Sequence, residues 1–440
     1  MVARGPGDAG PPCPAQAATK LLSTIVEREI IRNFKAERPS TVNCDCVNQL
    51  GFVLKASHNK HMSILIHILA GLASQASEPA PAASPVPPSA PAATTINAAS
   101  TWPIQEADFV IDDFRLQNGE RLPRLRLHYT TLGQPHRNAR GEIDNAVMIL
   151  HGTGGSGKQF LRPQFADELY GPGQPLDISR YWIILPDNIG HGESSKPSDG
   201  ERMRFPAYDY RDMVEAQHQL LTKGLGIREM RLIMGTSMGC MHSFVWGEVY
   251  PRFARALMPL ACQPVEIGGL NRMWRQLLVD GIRSDPAWAG GEYTTQPIQG
   301  LRTAASLLIV AGAAPLSLQN TFSTRDAATG QARARVEASI AGVDANDLIY
   351  QVESSRTYNP WPNLEAITAP VVWINSADDF INPHNLDTPQ RATARMPNAR
   401  FRLIPESVET QGHGTHTWAR FWKQDLSDLL ESTDASATGK

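Results

Sequence analysis

Ser237 sits in Gly235-Thr236-Ser237-Met238-Gly239, the G-x-S-x-G spacing of a sharp turn that exposes a serine hydroxyl. A strand-like run, Arg231 to Met234, precedes it. A helix-like stretch carrying Met241, Phe244, Val245 and Val249 follows and stops at Pro251. Such a turn needs neighbours without side chains on either side, which Gly235 and Gly239 supply. It also aims the free N–H groups of a helix start at the reacting oxygen. Serine needs a base to act as a nucleophile near neutral pH, and on this kind of turn the partners follow in the order Ser, acid, His. The candidate base is His413, in the glycine-flanked run Gly412-His413-Gly414-Thr415-His416 after the last apolar strand. His416 competes, but it falls where the final helix is expected to open, from Thr415 to Lys423. The acid is Asp379 or Asp378, just past the apolar run Val371–Ile374. Asp379 is favoured because Pro383 completes a D-x-x-x-P spacing. Oxyanion donors are expected from the backbone of Met238 and of Thr153, in the loop His151-Gly152-Thr153-Gly154-Gly155, with His151 itself structural.

The same loop offers a competing chemistry. Gly152 to Lys158 carries most of a phosphate-binding pattern, but Gln159 stands where a hydroxyl should hold Mg²⁺. Asp187 leads into Asn188-Ile-Gly-His191 and supplies no clear second ligand, so nucleotide binding is a distant alternative. His413 and His416 have no evident third metal ligand, and Cys44-Asp45-Cys46 lacks the second pair or His cluster of a metal site. Five cysteines, Cys13, Cys44, Cys46, Cys240 and Cys262, do not have the spacing of a disulfide framework. Cys240 reads as a small packed residue. No metal or other cofactor is expected.

The elements that must position these residues alternate. Phe109–Leu116 and Leu125–Tyr129 flank an Asn118-Gly119 turn and predict an antiparallel hairpin. Continuous apolar runs at Ala146–Leu150, Tyr181–Leu185, Met230–Met234, Ala256–Leu260, Val371–Ile374 and Phe401–Ile404 suit strands buried on both faces. A helical period runs over Asp209–Lys223. The expectation is an α/β fold: an eight-stranded, mostly parallel sheet with helices between the strands. Residues 263–365 hold helix-like stretches (Asn271–Ile282, Leu301–Ala311, Gln331–Gly342) and no clear strand. They predict a helical lid between two core parts, 101–262 and 366–440.

Ahead of the core, 77–100 are rich in proline, alanine and serine and read as a linker. Residues 62–76 hold an apolar run too short to span a bilayer, with Lys60 before it and Ala73, Ser74 and Ala76 after it. This resembles a secretory signal peptide starting at Met62. It implies a periplasmic or secreted protein; the alternative is a short buried helix or an ordinary tail, and a cytoplasmic location. Residues 1–61 form an extension with no readable core. A net charge of −3 without a long basic run points away from nucleic acid. The expected partner is a small acyl ester, with no stable membrane span; a homodimer is left open.

Three stretches resemble the homoserine O-acetyltransferase family of α/β hydrolases over roughly 104–430. They are Phe205-Pro…Tyr210-Arg-Asp-Met-Val…Gln217…Leu225-Gly-Ile227 leading into the Ser237 turn; Asn271…Arg275…Ser284-Asp-Pro-Ala-Trp288…Gly290-Gly-Glu-Tyr293; and the Asp379 loop with Gly412-His413. The resemblance implies a Ser237, Asp379 and His413 triad, a covalent acyl-enzyme and a helical lid. Departures bear on substrate. The family's Gly-Gly-Ser-Met-Gly-Gly is here Gly-Thr-Ser-Met-Gly-Cys, and its loop after the third strand typically lacks the His-Gly-Thr-Gly-Gly run. The transferases carry an Asp after the catalytic His, where this chain has Gly414. Without that carboxylate an amino-acid acceptor loses a charge-assisted contact. Ester hydrolysis is therefore expected ahead of homoserine O-acetylation or a related O-acyl transfer.

Overall fold

The computed structural model describes residues 102–438; the extension, the leader-like segment and the whole linker lie outside the described residues. Eight strands form one sheet: β1 (Gln105–Arg115), β2 (Arg121–Leu132), β3 (Ala146–Leu150), β4 (Trp182–Pro186), β5 (Leu232–Thr236), β6 (Leu257–Leu260), β7 (Val371–Ser376) and β8 (Ala399–Ile404). Their spatial order is β1-β2-β4-β3-β5-β6-β7-β8. β1 and β2 pair antiparallel, β2 meets β4 antiparallel, and the remaining neighbours are parallel. Gly119 takes the left-handed conformation (φ 88°) that the hairpin turn requires.

The unbroken apolar runs have a physical cause. Successive side chains of a strand point to opposite faces, and here both faces are covered. Ala146, Met148 and Leu150 of β3 pack with Ile184, Ile233, Phe244 and Trp246 on one side. Val147 and Ile149 pack with Phe165, Leu169, Trp422 and Leu426 on the other. The first face is closed by α2 (Tyr210–Gln219) and α3 (Met238–Val249), the second by α1 (Pro163–Leu169) and α10 (Lys423–Thr438). Each fully buried Leu, Ile or Val contributes about 1.5–3 kcal/mol, and they alternate between two cores.

The segment 263–365 contains α4 (Gly269–Arg283), α5 (Ile298–Ala311), α6 (Pro315–Thr321), α7 (Arg325–Ile340) and α8 (Ala345–Glu353), and no strand among the described residues. These helices share their own core, with Trp274, Leu278 and Ile282 of α4 against Leu301, Ala304, Ile349 and Val352. Sequence periodicity underlies three of them; α6 and α8 are additions. α8 starts where Asp344 accepts the Asn346 and Asp347 N–H groups as a cap. After β7, the short α9 (Thr388–Thr393) leads to β8. The chain reverses direction across the sheet at β3, with β4 on one side and β5 on the other. The carboxyl ends of β3 and β5 therefore flank the switch point where ligand clefts form in open α/β sheets.

Candidate active site

Ser237 follows β5 directly and caps α3 with φ 54° and ψ −108°, a backbone region costly for a non-glycine residue. The neighbouring glycines make room for it. A Cβ on Gly235 would collide with the Gly239 carbonyl, and one on Gly239 would collide with the Leu150 carbonyl of β3. The Ser237 N–H is anchored to the Leu260 carbonyl of β6 at 2.8 Å. The side chain is thereby lifted off the sheet edge at the start of a helix.

His413 and Asp379 reach this hydroxyl from the far side of the sheet. His413 Nε2 lies 2.8 Å from Ser237 Oγ, and His413 Nδ1 lies 2.9 Å from Asp379 Oδ2. With Nδ1–H donated to the carboxylate, Nε2 is the acceptor for the serine proton. Asp379 is buried. Its Oδ1 accepts the Ile381 and Asn382 N–H groups at 2.9 and 3.2 Å, and its Oδ2 also accepts Asn382 Nδ2 at 2.9 Å. Burial alone would raise its pKa. The His413 charge and hydrogen bond, with the Asn382 amide, outweigh burial and hold the carboxyl below its ordinary value.

The competing residues do other things. Asp378 faces away from the imidazole: it bonds the Ser376 hydroxyl and, through Oδ2, accepts Thr410 Oγ1 at 2.8 Å and the Gly412 N–H at 3.0 Å. It thus holds the backbone of the turn that carries His413. No helix opens at Thr415; Gly412–Thr417 is a 3-10 turn and α10 begins at Lys423. His416 shares that turn, its ring 5.0 Å from the His413 ring between centroids. It is fully buried, and burial together with the His413 charge pushes its pKa down to about 3, so it stays neutral.

The loop after β3 runs against Ser237: a Cβ on Gly152 would sit 3.3 Å from Ser237 Cβ. His151 ties this loop down. Its Nδ1 faces the Gly152 carbonyl at 2.9 Å, its Nε2 accepts the Asn188 N–H at 3.1 Å, and its own carbonyl accepts the Gly239 N–H at 3.0 Å. Thr153 follows at the cleft, and Met238 opens α3, where the N–H groups have no carbonyl a turn earlier to bond. The phosphate-loop alternative fails locally. Gly157–Leu161 is a five-residue 3-10 turn rather than a helix. The Gly157 N–H is given to the Asp187 carboxylate at 2.7 Å, and Lys158 pairs with Glu106 at 2.9 Å.

The family model of the alpha/beta hydrolase fold matches residues 145–408, more than half of the 440-residue chain. The chain belongs to the α/β-hydrolase family. A probable acyltransferase of Methanothermobacter thermautotrophicus is 28% identical over 288 residues, 64% of this chain and 84% of that protein. A homoserine O-acetyltransferase of Thermobifida fusca is 34% identical over 199 residues, 42% of this chain and 51% of its own length, so the match spans about half of that relative. Among solved structures, esterase E22 superposes with a TM-score of 0.66 at 19% identity, over 74% of this chain and 100% of that one. The homoserine O-acetyltransferase of Bacillus anthracis superposes with 0.64 at 21% identity, over 74% and 97%. The chain is thus an α/β-hydrolase-fold enzyme, and its sequence relatives include a probable acyltransferase and homoserine O-acetyltransferases.

Two features of the chain escape sequence reasoning. Cys240 and Cys262 form a disulfide, with Cα atoms 5.8 Å apart, where the spacings had suggested unpaired thiols. They are 22 residues apart and meet only because α3 returns the chain to the adjacent strand β6. The helical insertion also grips both sides of the cleft. Gln351 of α8 donates to the Gly190 carbonyl at 2.8 Å and lies beside Gly154. The left-handed Gly412 (φ 58°) has no room for a Cβ because the Ala313 carbonyl, between α5 and α6, presses on it. Arg275 of α4 is buried, bonded to Asn271 and Ser355 and stacked on Trp274. Among the described residues no carboxylate forms an ion pair with it. The signal for Arg275 lay only in the family resemblance, since a lone arginine in a helix carries none of its own.

Proposed function

We propose that this α/β hydrolase cleaves a small acyl ester through a covalent intermediate on Ser237. The observation that carries the reading is the continuous relay from Ser237 Oγ to His413 Nε2 at 2.8 Å and from His413 Nδ1 to Asp379 Oδ2 at 2.9 Å. As His413 takes the hydroxyl proton, Ser237 Oγ attacks the acyl carbon. Asp379 holds the imidazole in the required tautomer and stabilises the imidazolium. The Met238 and Thr153 amides receive the oxyanion. The imidazolium protonates the departing alcohol, then His413 activates water to release the acid. The chemistry runs on these protein groups.

A second reading, transfer of the acyl group to an alcohol such as homoserine, is favoured by Arg275. A buried guanidinium with no carboxylate in ion-pair contact suits an anionic group on an acceptor. Gly414, where the transferases place an Asp, favours hydrolysis instead. Turnover of a chromogenic acetyl ester, with and without homoserine plus acetyl-CoA, separates the two: faster hydrolysis supports the first, and faster formation of O-acetylhomoserine overturns it. Export is part of the proposal. The Cys240–Cys262 bond supports it, because disulfides persist mainly in oxidising compartments. Amino-terminal sequencing of the mature protein should begin beyond the 62–76 segment; a start before Met62 argues against export.

A further inference from the structure

The Cys240–Cys262 bond lies between the two parts of the relay. Cys240 is in the first turn of α3, one turn from Ser237, and Cys262 follows the end of β6. Both are buried. Cys262 is gripped by the strand that leads to the acid. Asn375 of β7 accepts the Cys262 N–H at 3.2 Å and donates to its carbonyl at 3.1 Å, and Trp373 Nε1 donates to the same carbonyl at 2.9 Å. One residue earlier, Ala261 is held left-handed (φ 65°), a strained state for a residue with a Cβ. The Ala261 carbonyl accepts Asn382 Nδ2 at 3.0 Å, and that same amide reaches Asp379 Oδ2 at 2.9 Å. A short path therefore runs from the nucleophile's helix through the sulfurs to Ala261, Asn382 and the carboxylate. Apart from it, the Ser237 N–H to Leu260 carbonyl bond also ties the turn to β6.

We propose that Cys240 and Cys262 are a positioning pair for this reaction: their disulfide sets the nucleophile's helix against the asparagine-held carboxylate, so the relay is fully assembled only in the oxidised enzyme. The inference rests on the Ser237 acyl-transfer reading. The switch is balanced when a dithiol such as dithiothreitol is the reductant. Its thiolate attacks one sulfur, the S–S bond breaks, and its second thiol displaces the mixed disulfide. Two electrons and two protons pass to the protein as two cysteine thiols, and the reductant leaves as a cyclic disulfide. Two unbonded sulfurs must then move apart to van der Waals separation, which releases α3 to shift against the end of β6. A misplacement of about 1 Å costs up to roughly a hundredfold in rate.

The test uses the full chain purified without reductant. Alkylation under denaturing conditions, followed by peptide mass analysis, should leave Cys240 and Cys262 unmodified until reductant is added; free thiols at both positions overturn the proposal. Native enzyme is then treated with dithiothreitol until mass analysis shows both thiols free. The expected result is a fall in kcat of about tenfold or more, with KM little changed, an equal slowing of organophosphonate labelling at Ser237, and recovery on reoxidation. C240A/C262A should show the low kcat from the outset and ignore reductant. If that variant does not fold, the reductant titration of the wild type makes the same comparison. A lower Tm with kcat and labelling rate unchanged would mean the bond serves stability alone, and would overturn the proposal. Absence of labelling in the oxidised wild type would instead overturn the catalytic reading, and the inference with it.

Discussion

Helices α3, of 12 residues, and α7, of 16, are opposite in character. α3 has Met238 through Gly247 buried without a break, and it carries Ser237 at its cap. α7, in the insertion, has no buried residue. The first is fixed by backbone contacts that leave no space for a methyl group. The second is held by its ends and by neighbours such as α5, where Arg302 pairs with Glu337. The proposed chemistry rests on rigid positions at the ends of β3, β5, β6 and β7. The insertion borders the cleft through a few side-chain contacts and leaves much of its own surface in solvent.

The contrast is sharpest in activity. Ser237→Ala should lower kcat by roughly a million-fold and Asp379→Asn by roughly ten-thousand-fold, both with the fold intact by circular dichroism. Asp378→Ala, in the same loop, should act on stability, costing about 1–3 kcal/mol through the lost Thr410 and Gly412 bonds, measured by denaturant unfolding. Equal kinetic losses at Asp378 and Asp379 would break the assignment of acid and brace.

A glycine pair reads the difference between the helices as stability. Gly239→Ala in α3 drives a Cβ into the Leu150 carbonyl and should cost about 3 kcal/mol. Gly330→Ala in α7 meets open space and should stabilise by about 0.5–1 kcal/mol, because glycine is the poorer helix former. Urea unfolding of the two variants checks both signs.

The catalytic face should also be acid-sensitive. His242 and His416 are buried and neutral, each pushed by burial from 6.5 to about 3. Between those values the unfolded chain binds protons that the folded chain does not. Stability therefore falls as pH drops from about 6.5 towards 3, by up to about 1.4 kcal/mol per pH unit for each histidine. Unfolding free energies across pH 5 to 7 should show this slope, and His416→Phe should remove one histidine's share of it.

The smallest expected change is in partitioning. Gly414 has room for a side chain, its nearest neighbour being Gln411 Cβ at 3.6 Å. Gly414→Asp should leave the Tm within a degree or two, since open-surface changes stay within about 0.5 kcal/mol. It should raise acyl transfer to homoserine relative to hydrolysis by a few-fold. An unchanged product ratio would separate this position from acceptor choice.

Much of the core was legible because burial on both faces writes itself into sequence as unbroken apolar runs; β3 to β8 lie on such runs, while β1 and β2 were read from alternation around the Asn118-Gly119 turn. The helices α6 and α8 were not, since seven and nine residues are too few to display a clear period. The Ser237 turn announces itself through Gly235 and Gly239, whose lack of a Cβ is a steric requirement. The choice between Asp379 and Asp378, and between His413 and His416, depends on which way neighbouring residues point inside a loop and a tight turn, and spacing carries that only weakly. The Cys240–Cys262 pairing was hidden for a different reason: it is a property of adjacent strands and a returning helix, visible only once β5 and β6 lie side by side.

The most direct test is to mix the enzyme with an acetyl ester, quench in acid within the first turnovers and map the modified peptide by mass spectrometry. The account predicts one acetyl group on the peptide bearing Ser237, absent in Ser237→Ala and accumulating when water attack is slowed. Turnover of the ester with acetyl on another residue, or undiminished turnover in Ser237→Ala, would contradict it.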